Sequence, residues 1–209
     1  MYWSGEDPYA AERSEALIIR GLLSEDDIAS CHSASATRAP PANTNPNLYS
    51  DELRHVKHDI AYDEHHVALY LHQQGHFAER HGPLLERLVT AMRAQPGWDA
   101  GTSPNVTLHV RCVELHTYSV GGSLITPGHK DNGSKITVSV QLSESSEFDG
   151  GRFCTWREGE CVEHPLERGD AVLFQSEKCH NVSTVSRGTR QSLVIELWVA
   201  PANSVDRFS

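Results

Sequence analysis

With 209 residues, 38% of them hydrophobic, the chain can bury a substantial core in one domain: a larger all-β unit, or a β core with an appended helical layer. A formal net charge of −10 excludes the basic surface that nucleic-acid binding requires and suits solubility. No stretch approaches the roughly 20 apolar residues that span a bilayer, and the acidic first residues lack the basic-then-apolar order of a signal peptide. The expectation is a soluble, cytoplasmic protein that binds neither membrane nor nucleic acid; its oligomeric state is left open.

In chain order, 16–23 reads as a short buried strand, and Ser24 caps a helix whose first turn is acidic. Residues 39–50, rich in Pro and Asn, read as a loop long enough to be a lid or a disordered segment. A strand over 67–71 is followed by a helical stripe from Phe77 to Met92, which Pro96-Gly97 ends. Residues 101–104 form a linker. The character then changes to short β-branched and aromatic runs separated by turns: 106–118, 123–126, 135–142, 152–156, 160–164, 171–174, 180–185 and 191–199. Asp149-Gly150-Gly151 and Arg168-Gly169-Asp170 are the clearest turns. The fold class is mainly β with N-terminal helices (α+β). Residues 1–105 supply the strand and helical layer, 106–200 the β core, and 201–209 a tail, all in one structural domain.

The five cysteines (Cys31, Cys112, Cys154, Cys161, Cys179) are odd in number and lack CxxC spacing, against both a disulfide framework and a zinc knuckle. Cys154 and Cys161 flank a turn and remain thiols in a reducing compartment. Cys179 reads as a small residue packed in the core, and Trp156 and Trp198 as core anchors. His55, His58, His65, His66, His72, His76 and His81 have no repeated spacing and read as a polar, partly exposed layer.

The chemistry concentrates in His129, Asp131 and His180. In an extended segment residues i and i+2 point to the same side, so His129 and Asp131 can reach one ion, and His180 can close a triad from a distant strand. Lys130 then points away. Two imidazoles and one carboxylate on one face of a metal are the ligand set of non-haem Fe(II) oxygenases. Taken alone, Pro127 to Gly133 is also consistent with a plain turn.

From about Val106 to Val199 the chain resembles the Fe(II)- and 2-oxoglutarate-dependent oxygenases, in the prolyl 4-hydroxylase-like branch. The ordered pieces that carry the resemblance are Tyr118-Ser-Val-Gly-Gly122, His129-Lys-Asp131, Gly150-Gly-Arg-Phe153, Gly169-Asp-Ala-Val-Leu-Phe174, His180-Asn-Val182 and Gly188-Thr-Arg-Gln-Ser-Leu193. The resemblance implies a double-stranded β-helix (jelly-roll, cupin-like) core. His129 and Asp131 would end its second strand and His180 begin its seventh. It further implies Fe(II), 2-oxoglutarate and O2, with ascorbate as an accessory reductant, and C–H hydroxylation of a peptidyl (prolyl included) or small-molecule substrate. Succinate and CO2 would be the coproducts. Arg190, ten positions after His180, would bind the far carboxylate of 2-oxoglutarate through its guanidinium fork. Ser192 and Tyr118 would add hydroxyl contacts. Asp131 leaves no room for a halide on iron, which favours hydroxylation over halogenation.

This chain departs from the branch in a loop 121–128 that is two residues longer and in Leu124, where a second tyrosine is usual. It also carries Glu114 and His116 on the same strand face as Tyr118, either as active-site groups or as a buried polar ladder. Two alternatives stand beside the oxygenase reading: a non-catalytic β-helix binding module, and a cupin-like metalloenzyme that does not use 2-oxoglutarate.

Overall fold

The structure, a computed structural model, describes residues 10–37, 60–61, 65–94, 106–125 and 129–204. The expected loop 39–50, the linker 101–104, the end of the 121–128 loop, the tail from 205, and His55 and His58 lie outside these residues. The protein is mainly β, with helices in its N-terminal part. A short helix α1 (Ala10–Arg13) precedes β1 (Leu17–Ile19) and α2 (Glu25–Ala36). After β2 (Ile60–Ala61) and β3 (His66–Tyr70), a longer helix α3 spans His76–Arg93. Nine strands follow: β4 (His109–Tyr118), β5 (Ile136–Gln141), β6 (Phe148–Gly150), β7 (Phe153–Arg157) and β8 (Glu160–Glu163), then β9 (Ala171–Gln175), β10 (His180–Val182), β11 (Val185–Gly188) and β12 (Arg190–Trp198).

Seven strands form one sheet in the order β1-β9-β5-β12-β4-β3-β2, antiparallel throughout. Two smaller sheets, β10-β7-β8 and β11-β6, complete the jelly-roll. β1, β2 and β3 come from the N-terminal half, so that half contributes strands to the main sheet as well as helices.

Strand alternation divides the main sheet into two faces. Val113 and Leu115 of β4, Val138 and Val140 of β5, and Leu193, Ile195 and Leu197 of β12 join one apolar cluster with Ile28 and Cys31 of α2 and Phe77, Leu84, Leu88 and Met92 of α3. Each such side chain contributes roughly 1.5–3 kcal/mol when fully buried, so this layer anchors the sheet. The opposite face carries Glu114, His116 and Tyr118, Thr137 and Ser139, and Ser192 and Glu196; it looks into a cavity. A smaller cluster of Tyr118, Phe153, Val172, Phe174, Val182 and Val185 closes the space towards the small sheets.

Ser24 caps α2 through a reciprocal box with Asp27, as its sequence suggests. α3 bends at His81 (φ −129°), next to Pro83, which has no N–H to donate. Other expectations need correction. The strand expected over 16–23 is only three residues long, half-buried and at the sheet edge, because Gly21 takes φ +58° and turns the chain. Over 123–125, the described part of the run expected at 123–126, no strand forms; Leu124 makes a single bridge to Val182. The run 180–185 splits into β10 and β11, which join different sheets. Trp156 is 37% exposed and Trp198 half-buried under the Arg111 guanidinium, so neither is a core anchor. Cys179 is half-buried rather than packed in the core. None of the five cysteines forms a disulfide.

Candidate metal and dicarboxylate site

His129, Asp131 and His180 come together at one end of the cavity. His129 Nε2 lies 3.4 Å from Asp131 Oδ1, and His180 Nε2 lies 3.6 Å from Asp131 Oδ2. The two imidazole rings stand edge to face at 83°, 4.8 Å between centroids. Their ligand atoms, one from each residue, lie within 4.8 Å of one another, close enough to hold a single ion. The backbone sets this geometry. The Asp131 N–H donates to Ser176 O (2.8 Å) and the His180 N–H to His129 O (3.2 Å), which ties the segment before β5 to the turn before β10. His129 and Asp131 thus sit ahead of β5 in irregular backbone, whereas His180 opens β10.

Side chains behind the triad fix its orientation. Thr137 Oγ1 donates to Asp131 Oδ2 at 2.8 Å, and Ser176 Oγ lies 2.9 Å from the same hydroxyl. His180 Nδ1 faces Lys178 O at 3.0 Å, which places the proton on Nδ1 and leaves the Nε2 lone pair for an ion. Burial works against a charged Asp131, yet the neighbouring His180 and His129 rings and the Thr137 hydroxyl hold its carboxyl well below the usual range. Burial pushes the His180 proton affinity down, against the pull of Asp131, so its imidazole is kept neutral. A neutral imidazole and an ionised carboxylate are the forms that ligate metals. Lys130 is exposed and does not line the cavity.

Arg190 lies beyond the triad at the start of β12, 1% exposed. Its Nη1 donates to Ser192 Oγ at 3.2 Å and its guanidinium carbon sits 5.5 Å from the Tyr118 ring centre. Nη2 has no hydrogen-bond partner, and no carboxylate pairs with the guanidinium among the described residues. Burial accordingly pushes its proton affinity down, with Tyr118 opposing. A buried cation without a counter-ion costs several kcal/mol, so the position suits an anionic group supplied from outside the chain. Tyr118 and Ser192 line the triad's cavity, whereas Arg190 walls an adjoining groove with Gly151; Phe153 lines both. Arg190 therefore sits on the partition between the two spaces.

The histidines that composition alone assigns to an exposed layer include two buried ones. His66 is 2% and His72 4% exposed. His66 Nε2 meets His116 Nδ1 at 2.9 Å, His116 Nε2 meets Glu114 Oε2 at 3.0 Å, and the His66 ring stacks on Tyr118 at 3.9 Å. Glu114, His116 and His66 thus form a polar ladder, and its Glu114 and His116 members also line the cavity. Only pairing across β3 and β4, which sets His66 opposite Tyr118, reveals the part His66 plays. Lys178 also escapes a sequence reading: it is 1% exposed, and its Nζ donates to Glu12 O (2.8 Å), pinning α1 to the core.

A jelly-roll with two histidines and an aspartate gathered at one end of its cavity is a β-helix protein whose cavity could hold a single metal ion. The chain resembles the Fe(II)- and 2-oxoglutarate-dependent oxygenases both in sequence and in fold. A PKHD-type hydroxylase of Gluconacetobacter diazotrophicus is 27% identical over 124 residues, covering 54% of this chain and 53% of that protein. The match thus spans about half the length of this curated relative. A 2OG-Fe(II) oxygenase family oxidoreductase from Burkholderia pseudomallei superposes with a TM-score of 0.62 at 15% identity, covering 95% of this chain and 91% of that one. A prolyl hydroxylase from Trichoplax adhaerens, solved with a hypoxia inducible factor peptide fragment, gives 0.57 at 14% identity, covering 88% and 83%. No family model matches the chain.

Proposed function

We infer that the protein is an Fe(II)- and 2-oxoglutarate-dependent oxygenase that hydroxylates a C–H bond. The single observation carrying this reading is the pairing of two features in one β-helix: a compact His129–Asp131–His180 cluster, and a buried Arg190 with no counter-ion among the described residues. The donor set fits Fe(II), and the orphan guanidinium fits the distal carboxylate of 2-oxoglutarate. The overall conversion would be R–H + O2 + 2-oxoglutarate to R–OH + succinate + CO2, with one oxygen atom entering each organic product. When bound, Fe(II) supplies the redox chemistry of dioxygen activation. The chain's residues do the rest. Thr137 and the Lys178 carbonyl hold the ligands in register, Arg190 and Ser192 bind and orient the dicarboxylate, and Leu124, Phe153, Phe174 and Val182 exclude water.

Peptidyl and small-molecule substrates are both compatible with the cavity. The peptide carried by the Trichoplax adhaerens enzyme supports the former for a protein of this fold. Among the described residues no helix is long and apolar enough to cross a membrane. The test is succinate release from 2-oxoglutarate by the Fe(II)-loaded protein, with His129→Ala as the reference. Turnover abolished by that substitution is the expected result. No turnover would favour a binding module, and oxidation of substrate that survives Arg190→Ala would favour a metalloenzyme independent of 2-oxoglutarate.

A further inference from the structure

The Arg190 guanidinium borders a second space. A groove of about 500 Å³, within the range of small-molecule sites, is walled by segments between β5 and β7 and between β8 and β9. None of the triad residues lines it. Gly151 lets the groove reach the cation. At φ +59° this glycine packs on the arginine stem, where a Cβ would fall 2.9 Å from Arg190 Cδ.

The carboxylates of the groove are already answered. Asp149 accepts from Arg187 Nε at 2.6 Å, Glu163 from Arg152 Nη1 at 3.1 Å, and Glu167 from Ser145 Oγ at 3.2 Å. The Arg152 and Arg187 pairs stand in solvent, where each is screened and weak. Arg190 differs: it is 1% exposed and its Nη2 has no hydrogen-bond partner. A ligand in the groove therefore meets a buried cation, with Phe148, Pro165 and Leu166 as apolar wall around it. Asp149, Glu163 and Glu167, all exposed in the same lining, oppose a second negative charge.

We propose that the groove binds a monocarboxylate with an apolar body, and that this ligand regulates the site by competing with 2-oxoglutarate for Arg190. Its carboxylate sits on the guanidinium and its body lies against Phe148, Pro165 and Leu166. A guanidinium fork engages one carboxylate in the bidentate mode, so an anion drawn to Nη2 from the groove withdraws the fork from the cavity side. The triad is left untouched. The regulatory half of the proposal rests on the oxygenase reading; binding in the groove does not.

The experiment is calorimetry on the metal-free full chain with hexanoate and 4-phenylbutyrate as probes, hexanamide as the neutral isostere and adipate as the dianion. Both monocarboxylates should bind about 10- to 100-fold tighter than hexanamide, the range of a charge-assisted contact, and tighter than adipate. Leu166→Trp, which fills the groove, should weaken them about 10-fold or more. Pro165→Glu adds a charge at an exposed position without filling space and should weaken them too, with melting temperatures reporting that both variants fold. In the Mn(II)-loaded protein without oxygen, 2-oxoglutarate should raise the apparent Kd of hexanoate in proportion to its concentration. Both variants should keep the 2-oxoglutarate affinity of the parent within about two-fold, since neither residue lines the triad's cavity. Equal binding of hexanamide, no binding of either monocarboxylate, or binding untouched by both substitutions would overturn the groove site. Simultaneous binding of hexanoate and 2-oxoglutarate would overturn the competition. Failure of the Mn(II)-loaded protein to bind 2-oxoglutarate would overturn the oxygenase reading and the regulatory half with it, while the metal-free titrations judge the groove by themselves.

Discussion

Arg190 donates from Nη1 to Ser192 Oγ at 3.2 Å, and that hydroxyl is the one hydrogen-bond acceptor its guanidinium has among the described residues. A fully buried cation in this state is unfavourable for the free protein and favourable for one that has taken up an anion. Arg190→Met keeps the volume and removes the charge. The metal-loaded variant should be as stable as the parent or more so in the absence of ligand. It should also lose the rise in melting temperature that 2-oxoglutarate gives the parent, about 2.7 kcal/mol of stabilisation at 100 times Kd. Differential scanning fluorimetry with Mn(II), with and without 2-oxoglutarate, measures both effects.

Gly151 sits with φ +59° against this arginine. A Cβ added there would lie 2.9 Å from Arg190 Cδ and 3.1 Å from Val185 Cγ2. Gly151→Ala should cost about 1–3 kcal/mol through backbone strain and displace the guanidinium. The expected signature is a KM for 2-oxoglutarate raised about 10-fold or more, with Mn(II) affinity close to the parent's, by kinetics and calorimetry respectively.

Thr137 holds Asp131 without touching the metal position itself. Thr137→Val removes the 2.8 Å hydrogen bond while keeping the shape, so metal affinity should fall about 10- to 100-fold. His129→Ala, Asp131→Ala and His180→Ala should each lose more than that. Calorimetric titration with Mn(II) ranks the four variants. A Thr137→Val affinity equal to the parent's would show that the backbone alone orients Asp131.

Stability of the metal-free protein should fall with acid in a defined window. Burial, helped by the neighbouring His116, pushes the His66 proton affinity down to about 3, and His180 is lowered by burial as well. Unfolded imidazoles take up protons near pH 6.5 while these stay neutral, so the unfolded state binds more protons and stability drops as pH falls from about 6.5 towards 3. Asp131, held below its ordinary value, contributes stability that is present above about pH 4 and lost below it as pH falls towards the folded value. Urea midpoints between pH 7 and 4 should therefore decline, by as much as several kcal/mol in stability. His66→Gln should flatten the upper part of that decline.

The His-x-Asp spacing and the faces of the strands could be read before any coordinates because their logic is local or periodic, whereas the β-helix and the place of Arg190 followed from the resemblance to a known family. His129 and Asp131 are two residues apart, strand alternation fixes which side chains share a face, and turns such as Asp149-Gly150-Gly151 mark strand ends. The division of 180–185 between two sheets was not legible, since a run of β-formers does not say which neighbour each residue will find. Trp156 misled for a similar reason: its size suggests burial, but β7 and β8 form an edge hairpin whose outer positions face solvent.

The polar ladder of Glu114, His116 and His66 divides in the same way. Glu114, His116 and Tyr118 follow from alternation along one strand, so the sequence alone determined that they share a face, together with a His-x-Asp pair, a distant histidine and a cation ten residues after it. Only the tertiary structure decided that His66 joins the ladder, that Glu196 stands beside Glu114, and that Arg190 is buried with no counter-ion among the described residues. Those facts depend on strand register and on the depth of the fold. Register is set by pairing between segments as distant in the chain as Leu17 and Leu173, and burial by every layer that packs above them.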